Sequence, residues 1–277
     1  MIFQDKVRDE KLMIVAGCDV GSLTAKAVIM KNAQLIASAV IRAKPKPSDS
    51  ADEVMKTALA NANLTFDDID HIVGTGYGRE QIPFVHSVES EISCHAKGAW
   101  HLAPSTRMVI DIGGQDAKAT RIDDNGKVGR FIYNDKCASG TGRFLEVMAE
   151  ALEIQLDKMG EIGAQSREKL TISNQCVIFA ESEVISLVND GKEIPDIINA
   201  LHHAMARRVA SLAKSIEVTP EVVMTGGVAK NSGVFNALSE ALGLRLIALN
   251  GTDPQIVGAL GAALYAMEKA ETIHAAV

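Results

Sequence analysis

The feature that most constrains this chain is that it begins its fold twice. An apolar strand over residues 13–20 runs into Asp19-Val20-Gly21-Ser22, turns back, and continues as a strand over 25–30, with a third over 35–41. The same order returns later. Residues 107–112 lead into Asp111-Ile112-Gly113-Gly114-Gln115-Asp116, a hairpin partner spans 118–122, an Asp124-Asn125-Gly126 turn follows, and a last strand covers 128–133. With Asp19 set against Asp111 the offset is 92 residues. A supersecondary unit repeated at this distance implies two related halves, and it is more specific than either turn alone.

Helical patterns follow each copy: residues 50–63 after the first, with a buried strand at 69–74, then 142–152, 180–189 and 194–216 after the second. Lys44-Pro45-Lys46-Pro47 interrupts regular structure between strand and helix. A strand at 221–224 enters Thr225-Gly226-Gly227-Val228-Ala229, and a small-residue-rich helix over 257–270 closes the chain near the expected hinge. The reading is α/β, with a polar extension over 1–12, a first unit over 13–106 and a second over 107–277.

A length of 277 residues suits two modest units with a substantial core. A net charge of −7 with no Lys/Arg run argues against nucleic-acid binding. The apolar stretches are broken too often to span a membrane, and the charged start lacks the core of a signal peptide. Four cysteines are too few for a disulfide framework, so thiols or metal ligands in a reducing, cytoplasmic setting are expected.

Asp-x-Gly hairpins offer backbone N–H groups and hydroxyls to phosphate oxygens. In the first, Gly21, Ser22, Leu23, Thr24 and Lys26 form the candidate cradle, and Asp19 can hold Mg²⁺ through water. In the second, Gly113, Gly114 and Gln115 face the same ligand, while Asp111, Gln115 and Asp116 are candidates to orient an attacking water. Gly226, Gly227 and Val228 suit a loop lying against adenine and ribose. Any one of these is an ordinary turn; the three in this order are a nucleotide site. Two further residues stand out, Cys137 before Gly140-Thr141-Gly142 and Cys176 before Val177-Ile178-Phe179-Ala180-Glu181. Two thiolates are half the ligand set of a four-iron cluster, which a symmetric dimer would complete. Their spacing forms no ligand motif, and burial as small hydrophobes explains it at least as well.

This pattern resembles the actin, sugar kinase and Hsp70 ATPase superfamily, which implies two ribonuclease-H-like subdomains with ATP or ADP and Mg²⁺ in the cleft between them. Thr75-Gly76-Tyr77-Gly78-Arg79, Glu91-Ile92-Ser93-Cys94-His95-Ala96, residues 135–142 and residues 179–186 narrow the match. They are similar to the activators of 2-hydroxyacyl-CoA dehydratases and the related ATPase subunits of benzoyl-CoA reductases. The resemblance implies a homodimer holding one [4Fe-4S] cluster on its two-fold axis, with Cys137 and Cys176 as each subunit's ligands. It also implies a ferredoxin or flavodoxin as electron donor, and an iron–sulfur enzyme acting on a CoA thioester as acceptor. The dehydratase activator is the reading taken, with the reductase subunit as its alternative and a small-molecule kinase as the more distant one. Cys18 and Cys94 read as structural, and His202-His203 as a surface pair. Lys136, Arg143, Glu181 and Glu183 read equally as a docking face or a solvated one.

Overall fold

The structure is a computed structural model that describes residues 13–173, 176–249 and 251–275; the polar extension expected over 1–12 lies outside the described residues. Strands β1 (Ile14–Val20), β2 (Thr24–Lys31) and β3 (Gln34–Arg42) form an antiparallel meander. Helix α1 (Pro47–Ala62) then returns the chain to β4 (His71–Thr75), which pairs parallel with β1, and to the short β5 (Ser87–Val88). Pro47 stands in the first turn of α1, where no N–H is needed, so the helix starts three residues before the reading from sequence. After α2 (Glu91–Leu102) the plan repeats. Strands β6 (Met108–Ile112), β7 (Ala117–Ile122) and β8 (Val128–Asn134) form the second meander, and β9 (Val222–Thr225) lies parallel to β6. Between β8 and β9 stand α3 (Gly142–Ala151), the short α4 (Met159–Gly163), α5 (Val177–Asn189) and α6 (Ile194–Lys214). Helices α7 (Ser232–Leu242) and α8 (Val257–Ala275) finish the chain. The sheet orders, β3-β2-β1-β4-β5 and β8-β7-β6-β9, are two copies of one design.

Period-2 alternation sorts the first sheet into two cores. Ala16, Cys18 and Val20 of β1 join Ala25, Ala27 and Ile29 of β2 beneath Val54, Met55 and Ala58 of α1. Val15, Val28 and Met30 point the other way, onto Ala259, Leu260, Ala263 and Ala266 of α8. Helix α8, which sequence order attaches to the second half, therefore spends its apolar face on the first sheet. The second sheet has a larger core of its own, built with α3, α5, α6 and α7 around Phe144, Met148, Ile197, Leu201 and Leu238.

Helices α2 and α8 cross where the halves meet. A Cβ on Gly261 would fall 1.8 Å from the Cys94 carbonyl oxygen, so the small residues of 258–263 serve a backbone-to-backbone contact. Cys18 and Cys94 are buried in these layers, with Cys94 in the α8 core. Burial pushes the Cys94 thiol up to about 12, which keeps it protonated and unreactive. No helix among the described residues is long and apolar enough to cross a membrane.

Candidate functional site

The two hairpins face each other across a cleft of about 1170 Å³. Their turns close in the same way: Gly21 N–H donates to the Thr24 carbonyl at 3.0 Å, and Gly113 N–H to the Asp116 carbonyl at 3.0 Å. Gly21, Ser22, Leu23, Thr24 and Lys26 line one wall, and Asp111, Gly113, Gly114, Gln115 and Asp116 the other; Gly226, Gly227 and Val228 line it too. Leu23 packs directly over Gly114, where a Cβ would lie 2.4 Å from Leu23 Cδ1, so the hairpin tips touch. Of the residues singled out for nucleotide, only Asp19 is off the cleft surface: it is 1% exposed and lies beneath the first turn.

The duplication runs deeper than the turns. Asp19 pairs in register with Lys26 and Thr75, and Asp111 with Lys118 and Thr225. Each threonine is followed by a glycine at positive φ, +89° at Gly76 and +86° at Gly226. Side chains at those two positions would strike Asp19 Oδ1 at 2.4 Å and Asp111 Oδ1 at 2.7 Å, along with the neighbouring Val20 and Ile112 carbonyls. Both positions need glycine for conformation and for space.

Among the cleft residues that escaped assignment from the sequence are Glu91, His95 and Lys118. Helix α2 carries Glu91 and His95 one turn apart and brings both to the second hairpin. His95 Nδ1 lies 3.3 Å from Asp111 Oδ1 and 2.9 Å from Thr225 Oγ1, which in turn donates to Asp111 Oδ1 at 3.0 Å. Lys118 Nζ lies 2.7 Å from Asp116 Oδ2, 2.9 Å from Glu91 Oε1 and 3.7 Å from Asp111 Oδ2. One donor atom each from Glu91, His95 and Asp111 falls within 4.8 Å of the others. A signal for Lys118 was in the chain, since the 92-residue offset carries Lys26 onto it.

Burial pulls the Lys118 ammonium down, but Asp111, Glu91 and Asp116 outweigh it and hold the group above its usual range. Burial pushes Asp111 up, and His95, Lys118, Lys26 and the Thr225 hydroxyl more than reverse that, keeping it ionised. Glu91 is held above the usual carboxylate range chiefly by burial, against the pull of Lys118. Asp19 is paired with Lys26 at 3.1 Å through Oδ2, while its buried Oδ1 has no hydrogen-bond partner among the described residues. Asp19, Glu91, Asp111 and Asp116 thus exceed Lys26 and Lys118 by two formal charges. An orphaned carboxylate oxygen and that surplus fit a divalent cation.

The second hairpin is tied directly to the cysteine region. Gly142 and Arg143, the first residues of α3, donate their N–H groups to the carbonyls of Gly113 and Gly114, both at 2.8 Å. The turn just before α3 holds Cys137. Asn134 Nδ2 donates to the Cys137 and Ser139 carbonyls at 2.8 and 3.2 Å, and the Thr141 hydroxyl donates to the Ala138 carbonyl at 2.7 Å. Cys176 is the N-cap residue of α5, which begins three residues earlier than the sequence reading and packs against α3. Both thiols are free, Cys137 half-buried and Cys176 exposed, so burial as small hydrophobes does not account for them. Uncovered apolar surface lies on the adjoining elements: Ile178 (71% exposed), Phe179 (63%) and Ile185 on α5, and the stacked rings of Phe131 and Tyr133 on β8, the strand that leads to the Cys137 turn.

Of the charged residues noted beside Cys137 and Cys176, Lys136 is exposed, Arg143 pairs with Glu146, and Glu183 accepts from Ser173. The expectation of a surface His202-His203 pair is corrected for His202, which is fully buried between α4, α6 and α7. Gly163 and Gly233 leave the space its ring fills, and Asn231 Nδ2 lies 3.3 Å from its Nε2.

Comparison with known proteins agrees with this geometry. The pattern of the BadF/BadG/BcrA/BcrD ATPase family matches residues 16–266. The chain is 46% identical to the activator of lactoyl-CoA dehydratase from Anaerotignum propionicum, over 94% of this chain and 99% of that one. It superposes with a TM-score of 0.92 on the activator of the 2-hydroxyisocaproyl-CoA dehydratase from Clostridium difficile with bound ADPNP, at 42% identity, covering 96% of this chain and 98% of that one. A benzoyl-CoA reductase subunit from Thauera aromatica is more distant, at 34% identity over 92% of this chain and 93% of its own length.

Proposed function

The chain belongs to the BadF/BadG/BcrA/BcrD ATPase family, and on that premise we propose that it is the ATP-hydrolysing activator of a 2-hydroxyacyl-CoA dehydratase. It acts as a homodimer that delivers a low-potential electron to that iron–sulfur enzyme after reduction by a ferredoxin or flavodoxin. Identity of 46% to a dehydratase activator, against 34% to a reductase subunit, favours the activator over the reductase alternative. The observation that carries the reading is the tie between Gly113-Gly114 and the first turn of α3, with Cys137 in the turn just before it. A kinase of the same fold makes no use of paired thiols.

The two hairpins cradle the phosphates with their backbone N–H groups, and the loop from Gly226 to Val228 lies against the nucleoside. Asp19 and Asp111 would hold Mg²⁺ through its water shell, and the ion would neutralise phosphate charge. Asp111, Gln115 and Asp116 orient the water that attacks the terminal phosphate, with Lys118 fixing the two acids in place. Closure around the triphosphate moves the Gly113-Gly114 turn and, through its hydrogen bonds to α3, the Cys137 turn with it.

Cys137 and Cys176 would supply two thiolates per copy to a [4Fe-4S] cluster shared by two copies of the chain, which would supply one-electron storage. The N-terminal amides beside each cysteine stabilise thiolate charge. The second copy covers Ile178, Phe179 and Ile185, apolar surface otherwise left in water. The test is anaerobic mixing of the reduced protein with a purified 2-hydroxyacyl-CoA dehydratase. Dehydratase activity is expected with ATP, not with ADP, and not with the Cys176→Ser variant. Equal activation by that variant overturns the reading.

A further inference from the structure

Lys118 occupies a position that the duplication marks out. It is the second-half counterpart of Lys26, set 92 residues on and paired across its hairpin with Asp111 as Lys26 is with Asp19. The two lysines differ in their surroundings. Lys26 Nζ makes an ion pair with Asp19 of its own half. Lys118 Nζ joins two elements: Asp116 and Asp111 belong to its own hairpin, whereas Glu91, at 2.9 Å, is the first residue of α2, whose Ala96 and Ala99 pack on the same sheet. Glu91 and Lys118 both line the cleft between the phosphate hairpins.

A terminal phosphate entering between those hairpins meets Lys118 and Glu91 together. It carries nearly two negative charges at neutral pH, against one on the carboxylate, so it competes for the ammonium and repels the acid. A diphosphate puts no such charge there. Given the ATP-dependent reading above, on which this step rests, we propose that Glu91 and Lys118 form a charge-gated bridge between α2 and the second hairpin. The bridge is kept with a nucleoside diphosphate and broken by a triphosphate, when Lys118 passes from Glu91 to the γ-phosphate. Glu91 therefore sets how strongly the cleft prefers triphosphate to diphosphate. His95 keeps its bond to Thr225 throughout and holds the helix in register.

The experiment measures ADPNP and ADP affinities on the full-length protein at fixed Mg²⁺, by calorimetry, for wild type, Glu91→Gln and Lys118→Met. Removing the competing charge in Glu91→Gln is expected to tighten ADPNP binding roughly fivefold to tenfold while ADP changes less than about twofold, a coupling of ordinary size. Lys118→Met is expected to weaken ADPNP by roughly tenfold or more and ADP far less. Should Lys118→Met fail to fold with its carboxylates left unpaired, Lys118→Arg, which keeps the charge, retains the wild-type preference. A Glu91→Gln variant that shifts both nucleotides equally, or neither, overturns the bridge. So does one that loses hydrolysis with the ADPNP-to-ADP ratio unmoved, which makes Glu91 a general base instead. Wild type that binds neither nucleotide overturns the ATP reading itself, and the bridge with it; wild type that binds both, with the ratio insensitive to Glu91, overturns the bridge alone.

Discussion

The first hairpin sets Asp19 against Lys26, with one carboxylate oxygen left bare, while the second sets Asp111 within reach of Lys118, His95 and Thr225, with Glu91 and Asp116 completing the cage. The backbones are near-copies, down to the glycine at positive φ that lets β4 and β9 pass close to each acid. Duplication thus preserved the parts that bind by main chain and let the side-chain surroundings diverge. An unsaturated acid suits a metal, and a saturated one suits the fixed orientation of a reacting water. One repeated unit yields two different tools.

The strongest test of the shared backbone is alanine at both glycines. Gly76→Ala and Gly226→Ala should each cost about 3 kcal/mol or more in urea unfolding, since the new methyl meets backbone as well as strain. Gly243→Ala, at φ +71° with open space around it, should cost only about 1 kcal/mol. Equal costs at all three would mean that strain alone matters, and the close approach of strand to acid would lose its support.

Divergence of the surroundings makes the two acids unequal. Asp19→Ala strips the largely buried Lys26 of its ion-pair partner and should cost about 3 kcal/mol. Asp111→Ala leaves Lys118 with Glu91 and Asp116 and should cost about 1 kcal/mol. The reverse order in thermal or urea unfolding would break the comparison.

Each half also buries a histidine away from the cleft, and these differ in degree. Burial lowers His71 in the first half. In the second it brings His202 down to about 4, with His203 adding to the effect. Because the folded pKa lies below the unfolded value near 6.5, the unfolded state takes up protons first as pH falls, so stability drops between about pH 6.5 and 4. His202 should account for about 1.5 kcal/mol of loss between about pH 6.5 and 5. His202→Gln should flatten the profile over that interval, and His71→Gln should do so less. A larger effect from His71 would contradict the burial found here.

Much of this was legible in the chain, for physical reasons that differ by region. The hairpins were legible because the same turn recurs between apolar strands at a fixed offset, and a repeat constrains both copies where a single Asp-x-Gly turn does not. Helix α7 was not, although Asn231 caps it and Gly243 ends it at positive φ. Its opening Ser-Gly is weakly helical, and the preceding glycine loop reads as one long turn. Glu91 and His95 show only that they share a helix face; their meeting with Asp111 depends on the α2–α8 crossing, a contact between segments more than 150 residues apart. His202 was misread because the room for its ring comes from Gly163 and Gly233, distant glycines whose closeness no local pattern reveals. Cys176 was legible as a ligand only through the family resemblance; its place as N-cap was not, because α5 starts three residues before the helical pattern becomes strong.

The measurement that bears most directly on the account is anaerobic purification with iron and acid-labile sulfide counted against protein, for wild type, Cys137→Ser and Cys176→Ser, alongside ADPNP binding. The account predicts about four irons and four sulfides per two chains in wild type, loss of both in either variant, and nucleotide binding retained in all three. Wild type that binds nucleotide yet takes up no iron after anaerobic reconstitution would contradict it.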